Sequence, residues 1–246
     1  MIALKLVIDT HTHTIASGHA FSTIQEMASA AAGKGLRMIA TTDHGPAMEG
    51  APVAMFFSAL NLLPGVIGGV RVLRGVEANI IDYEGRLDLP QGILKRLDFV
   101  MAGFHEVVLP PSGDMGKNTE ALIRVIANPC VDAISHPGNP GYPIDIPAVA
   151  RAASEYGKLL EINNNSVMVR PGSEENCRRI AASCRDLGIP VVCGSDAHVS
   201  FGVGSFDHSI SILKSVGFPE KLVLNTSVSK MAKFLNDKRK RLSLTV

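Results

Sequence analysis

Seven short apolar runs recur along this 246-residue chain, and most of them end at a histidine or a carboxylate. They cover residues 6–9, 37–41, 70–77, 99–104, 133–135, 159–162 and 191–194. Short, continuously apolar runs suit strands buried on both faces, as parallel strands are. Helical patterns fill the gaps. Ser22-Thr23-Ile24-Gln25 resembles a capping box, opening a helix that ends near Gly33 and Gly35. Asn118 can cap a helix over 119–127, and Pro147 suits an early helical position before 148–156. Ser173 opens a helix over 174–187 that Gly188 closes, and a last helix is expected over 228–236. Strands alternating with helices predict a parallel α/β fold. An open doubly wound sheet is one solution, but it binds ligands at one crevice. A closed barrel fits better, because its active site gathers residues from the ends of many strands. With seven strands it falls one short of the usual eight. The length, with 46% hydrophobic residues, suits one domain over residues 1–246.

The strand ends carry the chemistry. Seven of the eight histidines fall in clusters: Asp9-Thr10-His11-Thr12-His13 with His19 behind, Thr42-Asp43-His44, His105, His136, and Ser195-Asp196-Ala197-His198. Imidazole is the commonest metal ligand near neutral pH. In an extended strand, i and i+2 point to the same side, so His11 and His13 can converge on one ion. Two histidines in a polar loop is the competing reading of such a pair. Asp196-Ala197-His198 repeats the spacing. An ionised Glu77 at the end of a buried run is costly unless it is paired or metal-bound. Arg71 or Arg74 could be its ion-pair partner. His44, His105 and His136 could each be a hydrogen-bonded core residue, but one shared cluster explains all three. Asp43 is either an acceptor that orients an imidazole or a turn residue. His208 follows no strand and reads as a surface or helix-start residue. The candidate ligands are His11, His13, His19, His44, Glu77, His105, His136, Asp196 and His198. They suffice for three ions if a carboxylate bridges two. The excess of histidine disfavours magnesium and calcium. It favours zinc, with manganese or iron as substitutes.

Other features exclude alternatives. With 24 basic and 23 acidic side chains, nothing calls for a nucleic acid or an anionic membrane as partner. No apolar stretch is long enough to span a bilayer, and the run at 1–9 is too short for a signal peptide. A cytoplasmic protein is therefore expected. Cys130, Cys177, Cys184 and Cys193 form no C-x-x-C pair and are expected to be reduced, buried thiols. The basic run Asp237-Lys238-Arg239-Lys240-Arg241 reads as a solvated terminus.

Several stretches together resemble one family. They are Thr42-Asp43-His44-Gly45-Pro46, Gly75-Val76-Glu77-Ala78-Asn79-Ile80, Ala102-Gly103-Phe104-His105-Glu106, Ile134-Ser135-His136-Pro137-Gly138-Asn139-Pro140 and Glu161-Ile162-Asn163-Asn164. With H-x-H and the final Asp-Ala-His, this order is similar to the PHP (polymerase and histidinol phosphatase) superfamily. The likeness is greatest to its stand-alone YcdX-type metal-dependent phosphatases. The resemblance implies a distorted (β/α)7 TIM-like barrel, a single PHP domain, and a trinuclear metal centre. It assigns His11, His13, Glu77 and Asp196 to one ion. Glu77 bridges to a second ion with His105 and His136, and His19, His44 and His198 hold the third.

Such a centre suits hydrolysis of a small phosphomonoester by a metal-bound hydroxide. Glu77, Asp196 and Asp43 are the catalytic candidates, with Asp43 or a metal-held water as proton donor to the leaving group. Arg170 and Lys117 are candidates for phosphate contact, each with an ordinary solvated charge as the alternative. Residues 48–64 and 107–117 are expected to set specificity, with Met55, Phe56, Phe57, Val108 and Leu109 as wall residues or as packing. The expected partner is a small phosphorylated substrate. A homo-oligomer, a trimer at a guess, stays open. The rival functions are a PHP-type phosphodiesterase or nuclease, an amidohydrolase-type enzyme, and an inert metal-binding module.

Overall fold

The computed structural model describes residues 4–243, so the first three residues of the N-terminal apolar run lie outside it. The strands are β1 (Ile8–Thr12), β2 (Met38–Thr41), β3 (Val66–Ile67), β4 (Val70–Asn79), β5 (Phe99–Gly103), β6 (Ala133–Ile134), β7 (Leu159–Asn163) and β8 (Val191–Gly194). Except for β3, they pair in parallel in the order β1-β2-β4-β5-β6-β7-β8. The short β3 pairs antiparallel to β4. The helices are α1 (Ile24–Gly33), α2 (Ala54–Ala59), α3 (Gln91–Leu94), α4 (Met115–Ala127), α5 (Ile146–Tyr156), α6 (Ser166–Val169), α7 (Ser173–Leu187), α8 (Asp207–Ser215) and α9 (Val228–Ser243).

The seven parallel strands curl into a nearly closed barrel, as expected. At the seam, β1 and β8 meet through a Thr12–Ala197 bridge. The Asp196 N–H donates to His11 O at 2.9 Å, and the His13 N–H donates to Ala197 O at 2.9 Å. Lower on the seam, the buried Asn225 amide donates to Ile8 O at 3.0 Å and Cys193 O at 2.7 Å, and its oxygen accepts from Cys193 N. One side chain thus replaces the missing rungs of the ladder.

Side chains alternate along each strand. Ile8, Met38, Ala40, Leu73, Phe99, Met101, Ala133, Leu159 and Val192 point inward and fill the barrel. Ile39, Val72, Val100, Ala102, Ile134, Leu160, Val191 and Cys193 point outward, beneath the helices. Met231 and Leu235 of α9, with Leu224, close the bottom of the inner cluster. Helix α9 runs well past residue 236. Lys238 is buried there, its Nζ 2.5 Å from Asp132 Oδ2. The basic run is therefore not simply a solvated terminus, because Met231, Leu235 and Lys238 share the face that α9 turns to the barrel.

Two helix starts also differ from expectation. The capping box of α1 pairs Thr23 with Glu26, one residue later than expected. Helix α4 begins behind Asp114, whose carboxylate caps Lys117 N. Asn118 lies inside that helix, and its amide donates to Pro143 O. Gly157 and Gly188 end α5 and α7 in the left-handed conformation that favours glycine. All four cysteines are free and buried. Among the described residues, no helix is long and apolar enough to cross a membrane.

Candidate metal centre

The inward alternation that fills the barrel also builds the site. Carried to the strand ends and beyond, it runs from Ala40 to Thr42 and His44, from Leu73 to Glu77 and Asn79, and from Met101 to His105. It likewise runs from Leu159 to Glu161 and Asn163, and from Val192 to Asp196 and His198. Two exceptions use backbone irregularities. Between Asp9 and Thr12 the register of β1 against β2 slips by one residue, a bulge that turns His11 and His13 inward although Ile8 is inward too. His136 takes a φ of 31°, and Asp196 a φ of 55°. Such backbone is rare outside glycine and clusters at functional sites.

The ligand atoms converge around Glu77. His11 Nε2 and His13 Nε2 lie 3.0 Å apart. His11 Nε2 is 3.2 Å from Glu77 Oε2, and His13 Nε2 is 3.3 Å from Asp196 Oδ1. On the other side, Glu77 Oε1 lies 2.7 Å from His136 Nε2 and 3.3 Å from His105 Nε2. His44 Nδ1 lies 3.0 Å from Glu77 Oε2, and His19 Nε2 lies 3.0 Å from His198 Nε2. Among the described residues, three groups have ligand atoms all within 4.8 Å of one another: His11, His13 and Asp196; His44, Glu77 and His105; and His13, His44 and His198. All nine candidate ligands are thus in one place. His44 stands between Glu77 and His198, so the borders between groups are shared. Arg74 is not the partner of Glu77, because its guanidinium pairs with Asp98 at 2.7 Å.

Proton counting defines what this cluster can bind. The Asp43 carboxylate accepts from Thr14 N, Thr14 Oγ1, Thr41 Oγ1 and Ser17 Oγ, the last at 2.7 Å. Ser17 Oγ has spent its proton there, so it accepts the Nδ1–H of His13 at 3.2 Å. Glu161 Oε1 accepts the Nδ1–H of His11 at 2.8 Å. Both Nε2 atoms then present lone pairs to each other, an arrangement that calls for a cation between them. Further atoms repeat the signal. His44 Nδ1, both oxygens of Glu77, His105 Nε2 and His136 Nε2 are buried without a hydrogen-bond partner. Their close mutual approaches lack hydrogen-bond direction. Buried polar atoms are rarely left this way, and the donor set suits divalent transition metals.

The charges around His11 attract a cation to this spot, and a proton serves where no metal is bound. Burial opposes protonation of His11, but Glu161, Glu77 and Asp196 overcome it and push its pKa well above the usual value. Burial, reinforced by His44, holds His13 well below it. Burial and Arg170 bring His136 down to about 4, so its ring is a neutral lone-pair donor at pH 7. Burial opposes ionisation of Glu77 and Asp196, yet the surrounding imidazoles keep both pKa values well below the usual range.

A cleft of about 610 Å³ opens onto this cluster. His19, His44, Glu77, His105, Asp196 and His198 reach its floor, and Met48, Phe104, Val107 and Val169 supply apolar wall. Arg170 lines it, with Nη1 3.0 Å from Ser166 Oγ and 3.5 Å from Asp196 Oδ2. Lys117 does not line it and lies on the exposed start of α4. Asp43 does not line it either; its carboxylate is held by four donors and borders a separate hollow on the other side. Of the expected wall residues, Phe57 is core and Phe56 borders a separate apolar hollow with Ile15, Leu60 and Leu63. Ser17 was not singled out from the sequence, and Glu161 and Asn163 stood there only within a family-like stretch, with no role given. Glu161 did carry a signal, being a carboxylate inside a buried strand.

A family model described as PHP domain matches residues 9–166. A protein named probable phosphatase from Acetivibrio thermocellus is 54% identical, covering 97% of this chain and 99% of its own length. A probable phosphatase from Shewanella sp. strain ANA-3 is 52% identical, covering 96% and 93%. Among solved structures, the histidinol phosphate phosphatase of Lactococcus lactis, complexed with zinc, L-histidinol and phosphate, superposes with a TM-score of 0.62 at 17% identity. That match covers 86% of this chain and 94% of the other. The chain therefore belongs to the PHP-domain family, and its full-length relatives place it among that family's phosphatase-like hydrolases.

Proposed function

We propose that this protein is a phosphatase for a small phosphomonoester, working with three divalent ions, zinc in first place and manganese or iron as substitutes. The observation that carries this reading is the convergence of the His11 and His13 Nε2 atoms, 3.0 Å apart, between Glu77 and Asp196. In this reading His11, His13, Glu77 and Asp196 hold the first ion. Glu77 also serves the second, with His105 and His136, and His19, His44 and His198 hold the third. The Lactococcus lactis enzyme holds zinc and phosphate on a similar fold, which supports both the metal and the substrate class. Bound divalent ions supply an acidified water and positive charge for the phosphoryl oxygens.

The chain's own residues do the rest. Arg170 reaches into the cleft and can donate two parallel N–H bonds to phosphoryl oxygens. Its Nη1 also leans on Asp196, which keeps the guanidinium beside the ligand cluster. Met48, Phe104, Val107 and Val169 offer an apolar face to the organic part of the ester. The cleft volume lies within the range of small-molecule sites. Asp43 is better suited to positioning than to proton donation. Its four donors leave no path to the leaving group, and through Ser17 it fixes the proton of His13.

The test is hydrolysis of an aryl phosphate monoester and of its diester by zinc- or manganese-loaded protein. Monoester turnover should exceed diester turnover. Glu77→Gln should abolish it while circular dichroism shows an intact fold. Full activity in that variant would remove the bridging role, and preference for the diester would replace the phosphatase by a phosphodiesterase.

A further inference from the structure

Glu161 touches none of the cleft, yet its carboxylate ties together ligands from opposite sides of the cluster. It is fully buried in β7. One oxygen, Oε1, accepts the Nδ1–H of His11 at 2.8 Å. The other, Oε2, accepts the backbone N–H of His136 at 2.7 Å and the Asn163 amide at 3.1 Å. That amide also reaches Asp196 Oδ2 at 3.3 Å. Three ligand-bearing elements, β1, the loop after β6 and, through Asn163, the loop after β8, thus meet at this one side chain of β7.

We infer that Glu161 is the positioning residue of the centre, fixing His11 with its proton on Nδ1 and holding the left-handed backbone of His136. The inference rests on the metal reading above. Its argument is geometric. A histidine can ligate through either nitrogen, and the hydrogen bond at one nitrogen decides which remains. With Nδ1–H committed to Glu161, only Nε2 of His11 can face Glu77 and Asp196. His136 needs a φ of 31° to turn its ring toward Glu77. Such a backbone costs on the order of 1–3 kcal/mol and persists only where its surroundings fix it. The bond from its N–H to Glu161 is such a restraint. The same carboxylate therefore sets a ligand on each side of the Glu77 bridge.

The space around Glu161 fits this role. A Cβ at Gly194 would overlap both Glu161 Oε1 and the Cβ of His11. A Cβ at Gly103 would overlap Ser135 Oγ and crowd the His136 ring. Glycine at these two strand ends is what lets the carboxylate and the two rings pack at hydrogen-bonding distance.

The experiment uses full-length protein stripped by chelator and titrated with zinc alone. Zinc affinity is measured by competition with a chromophoric chelator. Histidine tautomers are read from long-range ¹H–¹⁵N correlation spectra. The loaded wild type should show His11 protonated on Nδ1. The near-isosteric Glu161→Gln should lose about 10–100-fold in zinc affinity, and Glu161→Asp, which keeps the charge, should recover part of the loss. A purely structural glutamate would leave the tautomer and the affinity of the folded variant unchanged, and that result overturns the proposal. Wild-type His11 protonated on Nε2 overturns it as well, even if neither variant folds. Wild type that binds no zinc overturns the metal reading itself, a result distinct from the other two.

Discussion

Gly194 shows how finely single residues set this site. Its backbone is ordinary, so glycine is not there for its conformational freedom. It is there because any Cβ would collide with Glu161 and His11. Gly194→Ala is expected to push those two side chains apart, at about 1–3 kcal/mol of stability. Zinc binding should fall much further than stability does. Urea unfolding of the stripped protein and zinc titration of the folded one separate the two effects. A variant that binds zinc like wild type would show that the strand end can shift to make room. The ligands themselves were legible from the sequence because they sit where an inward alternation passes a strand end. Glu77 needed only that rule, and Asp196 keeps the inward parity although its own backbone is left-handed. His136 did not obey it, since its aim depends on a left-handed backbone that no residue pattern announces. Ser17 was invisible for a different reason. It acts through one proton shared with Asp43, and that becomes countable only when both are placed in space.

Among the elements, α9 is the one whose role the sequence concealed. Its basic end resembles a tail, and helical spacing had to place Met231, Leu235 and Lys238 together before the burial made sense. The lysine passes into the barrel's lower mouth and pairs with Asp132, which also accepts the Val100 N–H at 2.8 Å. Lys238 Nζ further donates to Leu97 O at 3.3 Å. Removing one partner of a buried pair strands the other, at a typical cost of 3–5 kcal/mol, roughly. Lys238→Met is expected to fall near that range in urea unfolding, because methionine fills the volume but leaves Asp132 without its cation. Activity per folded molecule should stay at the wild-type level, since this pair lies at the opposite end of the barrel from the cleft. A large loss of turnover in folded Lys238→Met would mean that the two ends are coupled. The strands, by contrast, were readable almost to their limits. Of the seven expected strands only β1 was misplaced, because its bulge lets polar residues continue a strand that the apolar run 6–9 seemed to end, and the two-residue β3 went unread.

At the scale of the whole molecule, the barrel has two unlike halves. Below, the inner cluster from Ile8 to Leu235 is apolar and closed by α9. Above, the same interior holds imidazoles and the buried carboxylates Glu77, Glu161 and Asp196, with several atoms lacking any partner among protein groups. The lower half holds itself together by burial of apolar surface. The upper half cannot, because unpaired lone pairs and carboxylates in a buried site repel one another or go unsatisfied. In the metal reading, ions bind the native state and not the unfolded chain. Each site then adds about 2.7 kcal/mol when free metal stands at 100 times its dissociation constant. Chelation should therefore lower the unfolding temperature and abolish turnover, with both restored by zinc or manganese. It should also act unevenly. Amide exchange should rise at residues 11–17, 42–45, 104–106, 135–138 and 194–199, the loops that carry the ligands. It should stay low in β2, β5 and α9, whose protection comes from the apolar half. Uniform loss of protection along the chain would contradict this division, because it would mean that the ions hold up the whole barrel rather than its upper rim.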